Sequence, residues 1–312
     1  MFVLLLFPEG KKEVRPSSPA PDTRAREPGM DPLPRIAGVI GWPIAHSRSP
    51  LLHRYWLQRH GIAGAYLPFA VAPGQVEAAL RGLAALGMAG CNVTVPHKEA
   101  AAAVVDSCDA AARRLGAVNL VTVRPDGTLH GANTDGFGFL ENLRERAPHW
   151  QAAAGAVVVL GAGGAARSVV GALLDAGVPE VRLLARTSAR ARRLAQELAP
   201  SPESGAITLP DWADPAAALA GATLLVNATS AGMDGRPPLA LPLAALPAEA
   251  VVCDIVYTPL QTPLLRAAAA RGLATVDGLG MLLHQARPSF AAWFGVMPEV
   301  TPELRALVTA SL

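Results

Sequence analysis

The sequence is poor in cysteine, and this shortage already removes several classes of protein. Only three cysteines occur among 312 residues, at Cys91, Cys108 and Cys253. They lie far apart and form no C-x-x-C pair, so neither a disulfide framework nor a structural zinc site is expected. The pattern is typical of a protein of the reducing cytoplasm, and we assign no metal to it.

A strong net charge is also missing. The 27 lysine and arginine residues nearly balance the 25 aspartate and glutamate residues, which leaves a formal net charge of +2. The arginines are scattered along the chain, whereas a nucleic-acid-binding surface needs basic residues gathered on one face. We therefore expect no nucleic-acid partner.

Long apolar runs that would cross a membrane are lacking too. The run FVLLLF near the N-terminus is much shorter than the roughly 20 residues that span a bilayer, so we expect no membrane segment. The residues after it are rich in proline and charge, which predicts that residues 1–33 form a disordered extension. Because 51% of the chain is hydrophobic, the remaining length suffices for two domains with their own cores.

From residue 35 onward, strand-like apolar runs alternate with alanine-rich helical segments. The predicted strands are RIAGVIG, AYLPFAV, GCNVTV, AVNLVTV, AVVVLG, EVRLLA, TLLVNA and AVVCDIV. The predicted helices are PLLHRYWLQRHG, VEAALRGLAALG, KEAAAAVVDSCDAAARRLG, FGFLENLRERA, AARSVVGALLDAG, SARARRLAQELA and TPLLRAAAARG. Repeated strand–helix alternation indicates β–α–β units and an α/β fold with a mostly parallel sheet.

A glycine-rich turn, LGAGGAARSVV, follows the predicted strand AVVVL and begins a helix that ends near Gly177. Here Gly161 allows a tight turn, Gly163 lets the backbone approach a pyrophosphate, and Ala166 sits where the helix packs on the strand. The free N–H groups of the helix N-terminus attract phosphates. These features predict a Rossmann-type dinucleotide-binding unit.

The residues after the next strand indicate which nicotinamide cofactor binds. NAD sites carry an acidic residue here for the ribose 2′-hydroxyl, but this chain has Ala185, Arg186 and Thr187. A guanidinium beside a hydroxyl suits a 2′-phosphate. We therefore predict NADP as the cofactor. We expect Arg192 and Arg193 only to lie on the solvent-exposed face of the following helix.

Several polar positions have both a structural and a chemical interpretation. Ser47 and Ser49 adjoin Pro50 at a predicted helix start, where they either cap the helix or bind a small anion such as a carboxylate. Lys98 begins the helix after NVTVPH, where the helix dipole disfavours a cation. Asp135, in GANTDGFGF, either caps a helix or pairs with a lysine that transfers a proton during alcohol oxidation.

The ordered motifs HSRSP, NVTVPHKE, AVN, NTDGFGF, GAGGAAR, ART, NATSAGM, DIVY and DGLGMLLHQA resemble the shikimate dehydrogenase family from residue 36 to about residue 295. The resemblance implies reversible, NADPH-dependent reduction of 3-dehydroshikimate to shikimate in aromatic amino-acid biosynthesis, with Lys98 and Asp135 as the catalytic pair. The substrate-binding residues it implies are Ser47, Ser49, Thr94, Asn119, Tyr257 and Gln285. The cofactor-binding residues it implies are Gly161, Ala162, Gly163, Gly164, Ala165, Ala166, Arg167, Ala185, Arg186, Thr187, Ile255 and Gly278.

The resemblance also implies the domain organisation. We expect an N-terminal α/β substrate domain of residues 34–134, joined by C-terminal helices of residues 279–312. A Rossmann-type NADP domain of residues 135–278 lies between them, and the protein is a monomer or a homodimer. Arg48 stands where the family more often has lysine, and we expect it to point away from the substrate. We expect His97 to serve packing or to face solvent.

Three alternatives stay open. A quinate/shikimate dehydrogenase that prefers NAD should carry an acidic residue near Arg186, and none is present. A non-catalytic paralogue that keeps the dinucleotide fold should lose Lys98 or Asp135, yet both stand. A zinc-dependent alcohol dehydrogenase needs clustered cysteine and histidine ligands, whereas the cysteines of this chain lie far apart.

Overall fold

The computed structural model describes residues 33–199 and 205–312. The predicted N-terminal extension, apart from Leu33, lies outside the described residues. The described chain forms two six-stranded sheets, one after the other along the sequence. No helix of this described part is long and apolar enough to cross a membrane.

The first sheet has the strand order β2-β1-β3-β5-β6-β4. Its strands are β1 (Arg35–Gly41), β2 (Gly64–Ala70), β3 (Gly90–Val93), β4 (Ser107–Cys108), β5 (Leu120–Val123) and β6 (Leu129–Ala132). The helices between them are α1 (Ser49–Arg59), α2 (Val76–Ala85), α3 (Lys98–Val104) and α4 (Ala110–Leu115). β1 is parallel to β2 and β3, so the carboxyl ends of these three strands lie at one edge of the sheet. β5 runs antiparallel to β3 and β6, so this sheet is mixed.

The single helix predicted over residues 98–116 is wrong. The helix ends at Val104, Val105 is extended, and Ser107–Cys108 pairs with β6 as strand β4. A new helix then begins after Asp109, whose side chain accepts a hydrogen bond from the Ala112 amide at 2.6 Å. Tertiary pairing with β6, a strand that the sequence pattern did not reveal, overrides the alanine-rich helical periodicity.

The second sheet is entirely parallel, with the order β12-β11-β10-β7-β8-β9. Its strands are β7 (Val157–Leu160), β8 (Val181–Leu184), β9 (Ile207–Thr208), β10 (Leu224–Asn227), β11 (Val251–Asp254) and β12 (Ala274–Val276). The helices that follow them are α6 (Gly164–Asp175), α7 (Ser188–Leu198), α8 (Pro215–Leu219) and α9 (Pro263–Ala270). This is the Rossmann order. Successive strands are added on one side of β7 and then, from β10, on its other side, and such folds bind a dinucleotide at this switch point between β7 and β10.

Three further helices join the two halves: α5 (Asp135–Arg146), α10 (Leu279–Phe294) and α11 (Pro302–Thr309). The apolar faces of α10 and α11 share one core with the first sheet and α1, in which Phe290 and Trp293 pack with Val39 and Trp56. The predicted return of the C-terminal helices to the first half is therefore confirmed. α5 packs against both α6 and α10, so it connects the two sheets.

Candidate active site

A cavity of about 240 Å³ opens at the carboxyl ends of β1 and β3. Its lining residues are Val39, Pro43, Ile44, His46, Ser47, Arg48, Ser49, Asn92, Val93, Thr94, Lys98, Asn119, Tyr257, Leu282, Gln285 and Ala286. All six residues predicted to bind the substrate are among them, as is Lys98. The first sheet, the second sheet and α10 each contribute to this wall.

Lys98 and Asp135 form an ion pair beside the cavity. Lys98 Nζ donates a hydrogen bond to Asp135 Oδ2 at 2.5 Å, although 37 residues separate them. The lysine side chain is 26% exposed, whereas that of Asp135 is 5% exposed. A carboxylate at this distance offsets the unfavourable position of a cation in the first turn of α3. The ammonium is therefore accessible from the cavity and from solvent, while the carboxylate holds it from behind.

The carboxylate of Asp135 is itself held by buried donors rather than used as a helix cap. Asn119 Nδ2 donates to Asp135 Oδ1 at 2.7 Å, and Asn119 Oδ1 accepts from the Thr134 amide at 2.8 Å. Ser168 Oγ, on α6, lies 3.5 Å from Asp135 Oδ2. Since α5 has no side-chain cap, capping does not explain this aspartate.

Lys98 is also distinguished by composition. Beyond Lys11 and Lys12 it is the only lysine in the chain, and every other basic side chain after residue 12 is arginine or histidine. Arginine does not release its proton at physiological pH, whereas lysine does so in a suitable site. A lone lysine at the cavity wall is consistent with proton transfer.

The turn before Lys98 is fixed by backbone and side-chain hydrogen bonds. The His97 amide donates to the Thr94 carbonyl at 2.9 Å, and the Thr94 amide donates to Ile40 of β1 at 2.9 Å. The His97 ring is 2% exposed, with Nε2 at 2.7 Å from the Val71 carbonyl. Of the two roles expected for His97, packing is therefore confirmed and solvent exposure is wrong.

Ser47 and Ser49 lie at the start of α1 without capping it. The helix begins at Ser49 with Pro50 in its first turn, and its N-terminus has no side-chain cap. The Ser49 amide donates to Ser47 Oγ at 3.4 Å. Both serines line the cavity, so their hydroxyl groups are placed to bind an anion there.

Tyr257 reaches the cavity from the loop after β11, which a buried carboxylate anchors. Asp254 accepts hydrogen bonds from Asn227 Nδ2 at 2.9 Å, from Thr262 Oγ1 at 2.7 Å and from the Val256 amide at 3.1 Å. Burial raises the pKa of Asp254, and these donors oppose the rise. Burial also raises the pKa of Tyr257, which keeps its hydroxyl group protonated and able to donate.

The cavity includes residues that sequence reasoning did not assign. Asn92 lines it and is fully bonded, since Nδ2 donates to the Asn119 carbonyl at 2.9 Å and Oδ1 accepts from Tyr66 at 2.7 Å. The sequence feature that could have identified Asn92 is a polar asparagine within a short apolar strand. Arg48 lines the cavity as well, contrary to the expectation that it points away.

The glycine-rich turn lies at the carboxyl edge of the second sheet. Gly161 has φ +103°, and a Cβ there would lie 2.9 Å from the methyl group of Thr229. Gly163 and Gly164 have open space where a side chain would stand, so their backbone is accessible to a ligand. Ala166 is fully buried, as its position against the strand requires.

The other predicted cofactor residues lie at the same edge. Ala185–Thr187 follows β8, and the exposed side chain of Arg186 has no hydrogen-bond or ion-pair partner among the described residues. A Cβ at Gly278 would clash with the Ile255 carbonyl, so these two predicted residues are in contact. Arg167 instead forms an ion pair with Glu197 of α7, which leaves its backbone rather than its guanidinium for a cofactor.

Three family models match successive parts of this chain. The shikimate dehydrogenase substrate binding domain matches residues 39–121, and the shikimate/quinate 5-dehydrogenase model matches residues 144–233. The shikimate 5′-dehydrogenase C-terminal domain matches residues 278–307. Within the described residues, no group of three or more His, Cys, Asp or Glu side chains has the arrangement of a metal site.

Curated relatives and solved structures resemble the chain over most of its length. It is 61% identical over 277 residues to the shikimate dehydrogenase (NADP(+)) of Rhodospirillum rubrum, covering 88% of this chain and 96% of the relative. The shikimate 5-dehydrogenase of Thermus thermophilus, solved with NADP(H) and shikimate, is 36% identical with a TM-score of 0.78, covering 89% of this chain and all of that one. The NAD complex of a Corynebacterium glutamicum quinate dehydrogenase is 33% identical with a TM-score of 0.82, covering 89% and 99%.

Proposed function

This chain belongs to the shikimate dehydrogenase family, and we infer that it catalyses the reversible NADPH-dependent reduction of 3-dehydroshikimate to shikimate in aromatic amino-acid biosynthesis. The observation that supports the chemistry is the Lys98–Asp135 pair at a cavity lined by polar groups. We place the enzyme in the cytoplasm, as a monomer or homodimer. Residues 34–134 with 279–312 and residues 135–278 are its proposed substrate and NADP domains.

The carboxyl edge of the second sheet fits NADP. The tight turn at Gly161 and the accessible backbone of Gly163 and Gly164 suit a pyrophosphate at the N-terminus of α6. The guanidinium of Arg186, which has no partner among the residues that the structure describes, suits the 2′-phosphate, with Thr187 beside it. Ile255 and Gly278 are proposed to contact the nicotinamide half. When bound, NADPH supplies the hydride for the ketone carbon of the substrate.

Lys98 supplies the proton that the reduction requires. Its ammonium lies at the cavity wall, where it donates a proton from Nζ to the developing alkoxide and lends positive charge to that oxygen. Asp135 holds the ammonium in place through Oδ2 and is held in turn by Asn119. The partial exposure of Lys98 then lets solvent return the proton.

The remaining polar groups orient the substrate. Ser47, Ser49 and Tyr257 offer hydroxyl donors that suit a carboxylate. Thr94, Asn119 and Gln285 line the same cavity and are proposed to bind the ring hydroxyls. Closure of the cleft around the substrate would exclude water during hydride transfer.

One assay tests this function. Purified protein, with shikimate and either NADP+ or NAD+, is followed at the absorbance band of the reduced nicotinamide. We expect turnover of shikimate with a strong preference for NADP+. Turnover of quinate with NAD+ in preference to shikimate with NADP+ would favour the quinate dehydrogenase alternative. A complete lack of turnover with both substrates would contradict the enzymatic assignment.

A further inference from the structure

Arg48 occupies a position that the expectation of a side chain pointing away from the substrate does not explain. It lies between Ser47 and Ser49 immediately before α1, is only partly exposed and lines the cavity. Its guanidinium has no hydrogen-bond or ion-pair partner among residues 33–199 and 205–312. The helix dipole disfavours a cation at this end of α1. An anion that binds nearby would therefore stabilise the Arg48 guanidinium.

The cavity wall also carries more positive than negative charge. Its lysine and arginine are Lys98 and Arg48, His46 lies beside them, and none of the described residues that line it is Asp or Glu. Asp135 already compensates Lys98 from behind. The charge of Arg48 therefore remains available to an anion that enters the cavity.

Tyr257 indicates where this charge acts. Arg48 and Tyr257 line the same cavity, and the positive charge of Arg48 opposes the rise that burial causes in the pKa of Tyr257. Ser47, Ser49 and Tyr257 are the three hydroxyl groups proposed to hold the substrate carboxylate. Arg48 is thus beside the proposed carboxylate subsite.

We propose that the Arg48 guanidinium binds the substrate carboxylate and selects anionic substrates over uncharged analogues of the same shape. This inference rests on the proposed function and deepens it. The planar guanidinium fork can donate two parallel hydrogen bonds to a carboxylate, which an ammonium at this position cannot do.

The test compares Arg48→Met and Arg48→Lys with wild type, using shikimate and its uncharged methyl ester. Arg54→Met, an exposed position on the same helix, is the control for loss of one positive charge. KM and kcat are measured for shikimate. The inhibition constant of each compound is measured against 3-dehydroshikimate reduction, so that the comparison does not need turnover of the ester.

For Arg48→Met we expect KM and the inhibition constant of shikimate to rise about five- to tenfold, the inhibition constant of the ester to stay the same, and kcat to fall less than about threefold. Arg48→Lys should recover part of the loss, and Arg54→Met should match wild type.

Equal effects on acid and ester, or no effect on either, would overturn the proposal. Circular dichroism and the melting temperature report whether each variant is folded. If Arg48→Met is not folded, the comparison of Arg48→Lys with wild type tests the proposal. A wild-type enzyme inactive on shikimate would instead refute the proposed function.

Discussion

At the scale of single residues, the proposed chemistry depends on one lysine whose local position is unfavourable by itself. Lys98 begins α3, where a cation is destabilised by roughly 0.3 to 1 kcal/mol. The ion pair with Asp135 offsets that cost and directs Nζ to the cavity wall. Arg48 repeats the pattern at the start of α1. In both places a basic residue at the N-terminal end of a helix coincides with a proposed site for an anion or oxyanion.

Replacing Lys98 tests whether a proton or only a charge is needed. We expect Lys98→Met to lower kcat by about a hundredfold to ten-thousandfold, the usual contribution of general acid–base catalysis. Lys98→Arg should lose activity to a similar extent because a guanidinium keeps its proton. Steady-state kinetics and circular dichroism measure the two effects. An active Lys98→Arg enzyme would show that the charge alone suffices.

His53 makes stability depend on pH. Its ring is fully buried and stacks on Tyr66 with the ring centroids 3.9 Å apart, and neither ring nitrogen has a hydrogen-bond partner within the described part of the chain. Burial lowers its pKa to about 3. The unfolded chain therefore binds a proton that the native state does not bind between pH 6.5 and 3. Stability supplied by this residue is present above pH 6.5 and is lost as the pH falls through that window.

We expect His53→Phe, which keeps a ring on Tyr66 but cannot titrate, to remove this loss. Relative to the variant, the free energy of unfolding of the wild type should fall by about 2 kcal/mol between pH 7 and pH 5. Urea denaturation at several pH values measures the difference. His149→Gln, at an exposed position, should retain the wild-type slope. Parallel pH profiles for wild type and His53→Phe would contradict the assignment.

At the scale of elements, the crossing of α5 and α10 places Gln285 in the cavity. A Cβ at Gly138 on α5 would lie 2.6 Å from Gln285 Cβ and 2.7 Å from the Met281 carbonyl. On the facing helix, a Cβ at Gly280 would overlap the Asn142 side chain. Two glycines therefore allow the helix axes to approach closely, and the approach sets the depth of Gln285.

Gly138→Ala should push α10 away from α5. We expect it to destabilise the fold by about 1 to 3 kcal/mol, as overpacking does, and to raise KM for shikimate as Gln285 moves. Gly82→Ala on α2, where a Cβ meets nothing within 4 Å, should instead stabilise by about 0.5 to 1 kcal/mol. Thermal unfolding and KM distinguish the two variants. Similar behaviour of both would show that the close crossing is not needed.

At the scale of the whole molecule, two sheets present their carboxyl edges to a shared site. Residues after β1 and β3 supply the hydroxyls and Lys98, and the loop after β11 supplies Tyr257. The glycine-rich turn after β7 and Arg186 after β8 lie at the edge of the second sheet. A ligand that binds at either edge of the folded protein, and not to the unfolded chain, should therefore raise the free energy of unfolding.

NADP+ at about 100 times its Kd should stabilise the fold by about 2.7 kcal/mol, which corresponds to a rise in melting temperature of about 5 °C. NAD+ at the same concentration should give a much smaller rise. Arg186→Ala should abolish the difference between the two cofactors, because the 2′-phosphate loses its partner. Arg192→Ala, whose guanidinium donates to Ser188 Oγ, is the matched control. An undiminished preference for NADP+ in Arg186→Ala would refute this role.

The local parts of the fold and site follow from sequence pattern. Alternating apolar strands and alanine-rich helices predict the α/β class, and the turn at Gly161 predicts the dinucleotide-binding unit. The strands β4, β6, β9 and β12 were not predicted. β4, β9 and β12 have only two or three residues, and β6, LHGA, contains a histidine and a glycine where an apolar run would be expected. β4 was predicted as helix because only its partner strand shows where it belongs.

The sequence by itself therefore determined the fold class, the position of the glycine-rich turn and the choice of NADP, since each depends on residues close together in the chain. Only the tertiary structure decided that Lys98 meets Asp135, that Asn119 and Ser168 hold that carboxylate, and that Arg48 lines the cavity. Those contacts join strands and helices distant in sequence, and their geometry depends on sheet order and on how closely helices pack.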